Sequence, residues 1–387
     1  MPHTNYISSI DFGSSHIAIV GCELFEGSDL IIRHAISSPS QGVDRGYISD
    51  SVRAQESLKE ALNKFRAKSK YDGEKVSLSI GGIGLCSQYV KTGIDLRHEG
   101  SEVGPKDTQE LTNKAELLFS EKYPNKKILH VIPISYRVDD RDVLGSPIGM
   151  VASRIEAKII IVTVPEHHFD ALVSVVEAAS LDIDDITAAP LADAMSCLSY
   201  EQKKQGCVLV NIGSETTQIS TYEQGKLTSL KVIPLGSSDI SNDLALGLKV
   251  PIAEAQDIKH GKNKDYPEKK VQEIKDARLI DIIESVEKHL RSIKKNRLLP
   301  AGIVWTGNGS QIEAINDYAR TMLNIPSASV DLAQHGKDIK KKLSISPKYS
   351  TALGMCKLED SGARVSPSFN FKNIGKKIKY WLEQLKP

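Results

Sequence analysis

The sequence predicts an α/β protein made of two similar halves, on three observations. The stretch Ser8-Ser-Ile-Asp-Phe-Gly-Ser-Ser-His-Ile-Ala-Ile-Val20 returns about halfway along as Cys207-Val-Leu-Val-Asn-Ile-Gly-Ser-Glu-Thr-Thr-Gln-Ile-Ser220. Superposed, Ile10-Asp-Phe-Gly-Ser14 lies over Val210-Asn-Ile-Gly-Ser214, and each copy joins an apolar run, a Gly-Ser turn and a second alternating run. That is a β-hairpin signature. Strand-like runs alternate with amphipathic helical stretches through both halves. Last, Gly302-Ile-Val-Trp-Thr-Gly-Asn-Gly-Ser-Gln-Ile312 reads as a strand ending in a Gly-x-Gly turn and opening a helix. Glycines there let the backbone approach a flat ligand closely.

The totals bound the rest. A chain of 387 residues is long enough for two or three domains. Hydrophobic residues at 40% and charged residues at 26% are ordinary globular composition. The net charge of +1 argues against a dedicated nucleic-acid binder. Cys22, Cys86, Cys197, Cys207 and Cys356 are scattered without a C-x-x-C, which suits reduced cytoplasmic thiols better than disulfides or zinc. No signal-peptide pattern opens the chain, and no apolar run approaches the ~20 residues that span a bilayer. The expectation is a soluble, intracellular protein.

In chain order, Leu30–Ile36 reads as a third strand and Gly42–Asp50 as a loop. Ser51–Lys68 reads as a helix with Val52, Leu58, Leu62 and Phe65 on its apolar face, and Lys75–Gly82 as a buried strand. From Leu85 to Ile161 the texture changes. Strand-like runs at Gln88–Leu96, His130–Val138 and Ile155–Val164 surround one helix, Pro105–Lys122, with Leu111, Ala115, Leu118 and Phe119 on one face. With no phosphate-type turn, residues 85–161 read as an inserted subdomain. Val164–Leu181 is helical, and Ile186–Leu198 an alanine-rich helical connection. Beyond the second hairpin, Leu230–Ser237 is a strand closing on a turn at Gly236, followed by helices at Ser238–Leu248 and Pro251–His260. Asp276–Arg297 is a long amphipathic helix whose basic end carries Arg291, Lys294, Lys295 and Arg297, either as dipole partners or as a partner-binding face. A helix at Pro347–Met355 finishes the globular part.

The duplicated turns have a chemical use. Backbone N–H groups of a Gly/Ser/Thr-rich turn converge on a concavity suited to phosphate oxygens. Gly13, Ser14 and Ser15 facing Gly213, Ser214 and Thr216 would grip a polyphosphate from both sides. The polar or acidic residue before each turn, Asp11 and Asn211, would sit near a Mg²⁺ that keeps most of its waters.

Assembled, these stretches resemble the actin/Hsp70 superfamily of two-domain ATPases, and within it the FtsA family of bacterial cell-division proteins. Ile10–Ser15 and Val210–Thr216 are similar to its two phosphate loops, and Gly302–Gly309 to its adenosine loop. Arg45-Gly-Tyr-Ile-Ser-Asp50, Leu129-His-Val-Ile-Pro-Ile-Ser-Tyr136, Pro147-Ile-Gly-Met150, Val232-Ile-Pro-Leu-Gly236, Ser241-Asn-Asp-Leu-Ala245 and Tyr349-Ser-Thr-Ala-Leu-Gly354 resemble FtsA signatures in order. The resemblance implies an actin-like fold of duplicated ribonuclease-H-like halves with an FtsA-type insert. It divides the chain into 1–84 with 162–200, the insert 85–161, and a second half 201–358 whose small subdomain spans about 240–300. It further implies ATP with Mg²⁺ in the cleft, Asp11 on the Mg²⁺ side mostly through water, and Gly307, Asn308 and Gly309 at the adenosine. Gln256 would stand where relatives carry a ribose-contacting Glu, and Lys259 beside the adenine. Asn211 departs from the usual Asp, Glu215 from a glycine, and Ala189 from a water-orienting Glu that several relatives carry, so hydrolysis is expected to be weak or absent. Self-association into filaments and binding of the FtsZ C-terminal peptide on the small subdomain are also implied, with the basic quartet at 291–297 as contacts.

Glu359–Ser368 reads as a linker. In residues 369–387 a helical wheel gathers Phe371, Ile374, Ile378, Trp381, Leu382 and Leu385 on one side, with lysines outside that arc. An apolar face with Trp and basic flanks suits a helix lying in an anionic membrane interface, at the cytoplasmic face of the inner membrane and the division site. Two other readings stand beside the FtsA one. A PilM-like pilus-assembly protein has the same fold but no such tail, and a sugar or acetate kinase would need a general-base Asp that no motif supplies.

Overall fold

The computed structural model describes residues 5–24, 30–69, 75–96, 100–312, 314–332 and 346–360. The first half opens with strands β1 (Asn5–Phe12), β2 (His16–Leu24) and β3 (Ile31–Pro39), then the two-residue strands β4 (Val43–Asp44) and β5 (Tyr47–Ile48). Helix α1 (Ser51–Lys68) and strand β6 (Lys75–Ile80) follow. The insert holds β7 (Cys86–Asp95), β8 (Ser101–Glu102), α2 (Pro105–Lys122), β9 (Lys126–Val138), β10 (Arg141–Val143), β11 (Val151–Ala152) and β12 (Arg154–Pro165). Helix α3 (Glu166–Glu177), strand β13 (Asp182–Ala188), and helices α4 (Ala189–Cys197) and α5 (Tyr200–Gln205) lead into the second half. That half contains β14 (Cys207–Ile212), β15 (Thr217–Glu223), β16 (Lys226–Ile233), α6 (Ser237–Leu248), α7 (Ile252–Lys259) and α8 (Glu268–Ser292). It ends with β17 (Ile303–Thr306), α9 (Ile315–Leu323), β18 (Ser327–Ser329) and α10 (Ser350–Asp360).

One strand plan is used twice. The first sheet runs β13-β6-β1-β2-β3, and the second half runs β18-β17-β14-β15-β16. In both, the first three strands in sequence are antiparallel and the last two join parallel. The central strands are covered on both faces, which is why Val76–Ile80 and Cys207–Val210 read as continuous buried runs. The insert's sheet, β10-β9-β12-β7, continues the second half's sheet where Cys86 pairs with Lys231. Helix α2 packs on that sheet through Leu111, Ala115 and Phe119.

Helices α4 and α10 cross between the halves. Gly354 makes the crossing possible, since a side-chain carbon there would come within 1.8 Å of the Ala192 carbonyl oxygen. The crossing buries Ala192, Ala352, Met355 and Cys356 against Ile7 and Val20.

Several expectations need correction. Val52 is exposed in the first turn of α1, whose buried face is Ala54, Leu58, Ala61, Leu62 and Phe65. Leu118 is likewise exposed on α2, where Thr108 and Thr112 complete the buried stripe. Residues 186–188 are strand, because Ile186, Thr187 and Ala188 pair in parallel with Leu78, Ser79 and Ile80; long-range pairing overrides alanine's helix propensity. Helix α8 starts at Glu268, eight residues before the expected Asp276, because Val271 and Ile274 join the core of α6 and α7. It stops at Ser292, so Lys294 and Arg297 lie beyond it in left-handed turns. Helix α10 runs to Asp360, into the expected linker.

Candidate functional site

The two hairpin turns have one geometry. Phe12 pairs with Ile17 and Ile212 with Thr217, and each turn closes on a single bond: Gly13 N–H to the His16 carbonyl at 3.1 Å, Gly213 N–H to the Thr216 carbonyl at 2.9 Å. They face a common crevice bridged by the loop at Arg45–Gly46. The Gly46 N–H donates to Ser14 Oγ at 2.9 Å, and the Arg45 N–H donates to Glu215 Oε2 at 2.5 Å. Glu215 therefore ties the second half to the first. Tyr47 anchors the loop by stacking on His168, with ring centroids 4.2 Å apart, and its hydroxyl donates to the Ile83 carbonyl. Burial pushes His168 down to about 4, so the ring stays neutral beside the Gly81 carbonyl 3.0 Å away.

Polar side chains line the floor between the turns. Ser79 Oγ donates to Asp11 Oδ1 at 2.5 Å. Asp193 on α4 is fully buried: its Oδ1 accepts from the hydroxyls of Ser350 (2.8 Å) and Thr351 (2.9 Å), its Oδ2 from Asn211 Nδ2 (2.7 Å). The Thr351 hydroxyl also reaches Asp11. Burial raises both acids, and Asp193 rises to about 6 with the charge of Asp11 adding, against the bonds from Asn211, Ser350 and Thr351.

The walls come from the second half. The N-terminus of α6 seats on the second turn: Ser237 and Ser238 N–H groups donate to the Gly213 and Ser214 carbonyls at 2.9 and 2.7 Å, and Ser214 and Ser238 hydroxyls lie 2.5 Å apart. Gly236 begins that helix, its N–H held by Asp239. Lys259 on α7 donates to the Ser237 carbonyl at 3.0 Å, and burial lowers its pKa; Gln256 is exposed on the same helix. Gly307 (φ +84°) lies against Asn211, where a side-chain carbon would meet Oδ1 at 2.1 Å. Gly309 packs on Ile212, and Asn308 between them is exposed. Asp11, Gly13–Ser15, Asn211–Thr216, Gly236 and Gly307–Gly309 thus gather around one crevice, with Lys259 at its edge. Among the described residues a separate cavity of about 700 Å³, beside Ile315, Asn316 and Arg320, includes none of them.

The basic quartet lies elsewhere. Lys295 pairs with Glu223 at 2.6 Å and Arg291 with Glu287 at 2.8 Å, beside the β15–β16 turn and away from the small core of α6, α7 and the start of α8. Phe371, Ile374, Ile378, Trp381, Leu382 and Leu385 lie outside the described residues. No described helix is long and apolar enough to cross a membrane.

Comparison with known proteins agrees with this architecture. The sequence model of "Cell division protein FtsA" matches residues 208–354, and that of "SHS2 domain inserted in FTSA" matches 82–163. The Bacillus subtilis cell division protein FtsA is 26% identical over 383 residues, covering 92% of this chain and 84% of that protein. The Pseudomonas aeruginosa protein of the same name is 25% identical over 374 residues, covering 90% and 88%. The chain belongs to the FtsA family. Solved structures agree on an actin-like fold. The PilM-PilN type IV pilus biogenesis complex superposes with a TM-score of 0.70 at 14% identity, covering 92% of this chain and 98% of that one. MreB5 of Spiroplasma citri bound to ADP gives 0.53 at 12%, covering 92% and 97%.

Within this FtsA-family site, sequence reasoning missed Asp193, Ser79, Ser350, Thr351 and the strap at Arg45–Gly46. Asp193 left one trace, a lone acid in the otherwise apolar run Ala188–Ala194. The donor set suits a hydrated Mg²⁺: one carboxylate, an amide oxygen and hydroxyls. No described group of three or more His, Cys, Asp or Glu forms a caged metal site. Ala189 opens α4 with a side chain that can orient no water.

Proposed function

We propose that this FtsA-family protein binds ATP with Mg²⁺ in the crevice between the two turns, assembles into filaments on the inner face of the cytoplasmic membrane, and tethers FtsZ there. The observation that carries the reading is the pair of like turns at one crevice, with the glycine turn Gly307–Gly309 beside them. Backbone N–H groups of residues 14–15 and 214–216 hold the phosphates, the Gly13 and Gly213 N–H groups being taken up in closing the turns, and Asp11 with Asn211 faces the hydrated cation. Gly307–Gly309, Gln256 and Lys259 hold the nucleoside. When bound, the cation neutralises phosphate charge. Because no side chain at Ala189 positions a water, turnover is slow or absent.

Self-association is supported by an apolar tip on the insert, where Leu144, Ile148, Met150 and Val151 are exposed. Exposed Leu246 and Ile252 on the small subdomain suit a docked FtsZ peptide better than the ion-paired end of α8. The lysine-flanked apolar face at 371–385 holds lipid weakly alone and strongly in a row of subunits. The test is electron microscopy of the full chain with ATP on anionic lipid monolayers. Filaments are expected, and Trp381→Glu should clear them from the lipid; bare lipid with the wild-type chain contradicts the reading.

A pilus-assembly role is the second reading, favoured by the superposition on the PilM-PilN complex. Retention of this chain on an immobilised FtsZ C-terminal peptide separates the two.

A further inference from the structure

We propose that Asp193 is a positioning residue of the crevice, holding the Asn211 amide with its nitrogen inward and its carbonyl oxygen outward beside Gly307. The inference rests on the nucleotide-binding reading above and concerns what position 211 offers to the hydrated cation of bound nucleotide.

A carboxylate only accepts hydrogen bonds, whereas an amide has one accepting and one donating end. Asp193 Oδ2 takes the donating end of Asn211 at 2.7 Å. The opposite flip would set two oxygens against each other at that distance. Asp193 cannot turn to accommodate it, because Ser350 and Thr351 hold its other oxygen at 2.8 and 2.9 Å. Ser350 is fixed in turn, its carbonyl accepting from Ser196 Oγ at 2.7 Å. Two helices, α4 and α10, therefore set the orientation of a side chain on β14. The oxygen left over lies against Gly307, where only a glycine leaves room for it.

This explains the amide at 211. An aspartate there would face Asp193 across a hydrogen-bond distance, a carboxylate pair that cannot both stay ionised. The pair is an exchange of groups, with the acid on the helix beneath and the amide on the strand. Position 211 thereby presents a neutral acceptor of fixed direction to the waters around a cation.

The test titrates the full chain with ATP, in Mg²⁺ and in excess EDTA, and compares thermal midpoints. Mg²⁺ should strengthen ATP binding to the wild type. In Asp193→Asn the hydroxyls of Ser350 and Thr351 keep the amide oxygen at 193, so its nitrogen faces Asn211 and turns the Asn211 nitrogen outward in place of the oxygen. The strengthening should fall by roughly tenfold, as for lost partners of metal-facing groups, while binding in EDTA is unchanged. Asn211→Ala should lose it similarly. The double exchange Asp193→Asn with Asn211→Asp restores a donor–acceptor pair, so it should melt like the wild type and show Mg²⁺ strengthening above it. If Asp193→Asn does not fold, Asn211→Ala and the double exchange decide. A wild-type Mg²⁺ ratio in Asp193→Asn or in Asn211→Ala overturns the proposal alone. A wild type that binds no ATP at all overturns the nucleotide reading, and the proposal with it.

Discussion

The first and second turns share a backbone and a Gly-Ser pair and differ in chemistry at three of the side chains that leave it. Where the first has Asp11, Ser15 and His16, the second has Asn211, Glu215 and Thr216. The differences follow from what each copy meets. Asp11 meets hydroxyls from Ser79 and Thr351, so it can remain an acid. Asn211 meets the Asp193 carboxylate and must donate to it. Ser14 accepts from the strap within its own half, whereas Glu215 reaches across the crevice to the same strap. Duplication thus preserved the geometry that hydrogen-bonded strands dictate and left the side chains to their separate surroundings.

Gly307→Ala should break the comparison most severely. It forces a side chain into a left-handed backbone and onto Asn211, displacing the second turn's polar residue while the first turn is untouched. Strain and overlap together predict a loss of about 4 kcal/mol in denaturant unfolding.

A smaller, pH-dependent effect comes from the acid beneath the second turn. Asp193 has an ordinary value of 3.8 raised to about 6 in the fold. A carboxyl held above its unfolded value favours the folded state fully below pH ~4, and that contribution disappears as pH rises through about 6. Unfolding measured from pH 4 to 7 should show this decline, about 3 kcal/mol for such a shift, and Asp193→Asn should flatten it.

The mildest change sharpens the contrast. Glu215→Ala removes the cross-crevice bond to the Arg45 N–H and should cost about 1 kcal/mol. It leaves the Ser14–Gly46 bond intact, and ATP affinity should rise because a carboxylate leaves the phosphate side.

The repetition of the halves was legible because a Gly-Ser turn between alternating runs is local information. Elements decided by distant partners were not. Residues 186–188 look helical until β6 supplies a parallel neighbour, and the helix expected from Asp276 begins at Glu268 because α6 and α7 give Val271 and Ile274 a core to enter. The crevice residues on the turns were readable from spacing. Asp193 was not, since its partners come from β14 and α10, which are remote in sequence. The basic quartet looked like a partner surface, but Glu223 and Glu287 take up two of its charges.

The most direct measurement is an experimental structure of the full chain with Mg²⁺ and a non-hydrolysable ATP analogue. Phosphates are expected between residues 13–15 and 213–216, with the nucleoside beside Gly307–Gly309. A nucleotide touching only one turn, or seated in the cavity beside Asn316 and Arg320, would contradict it.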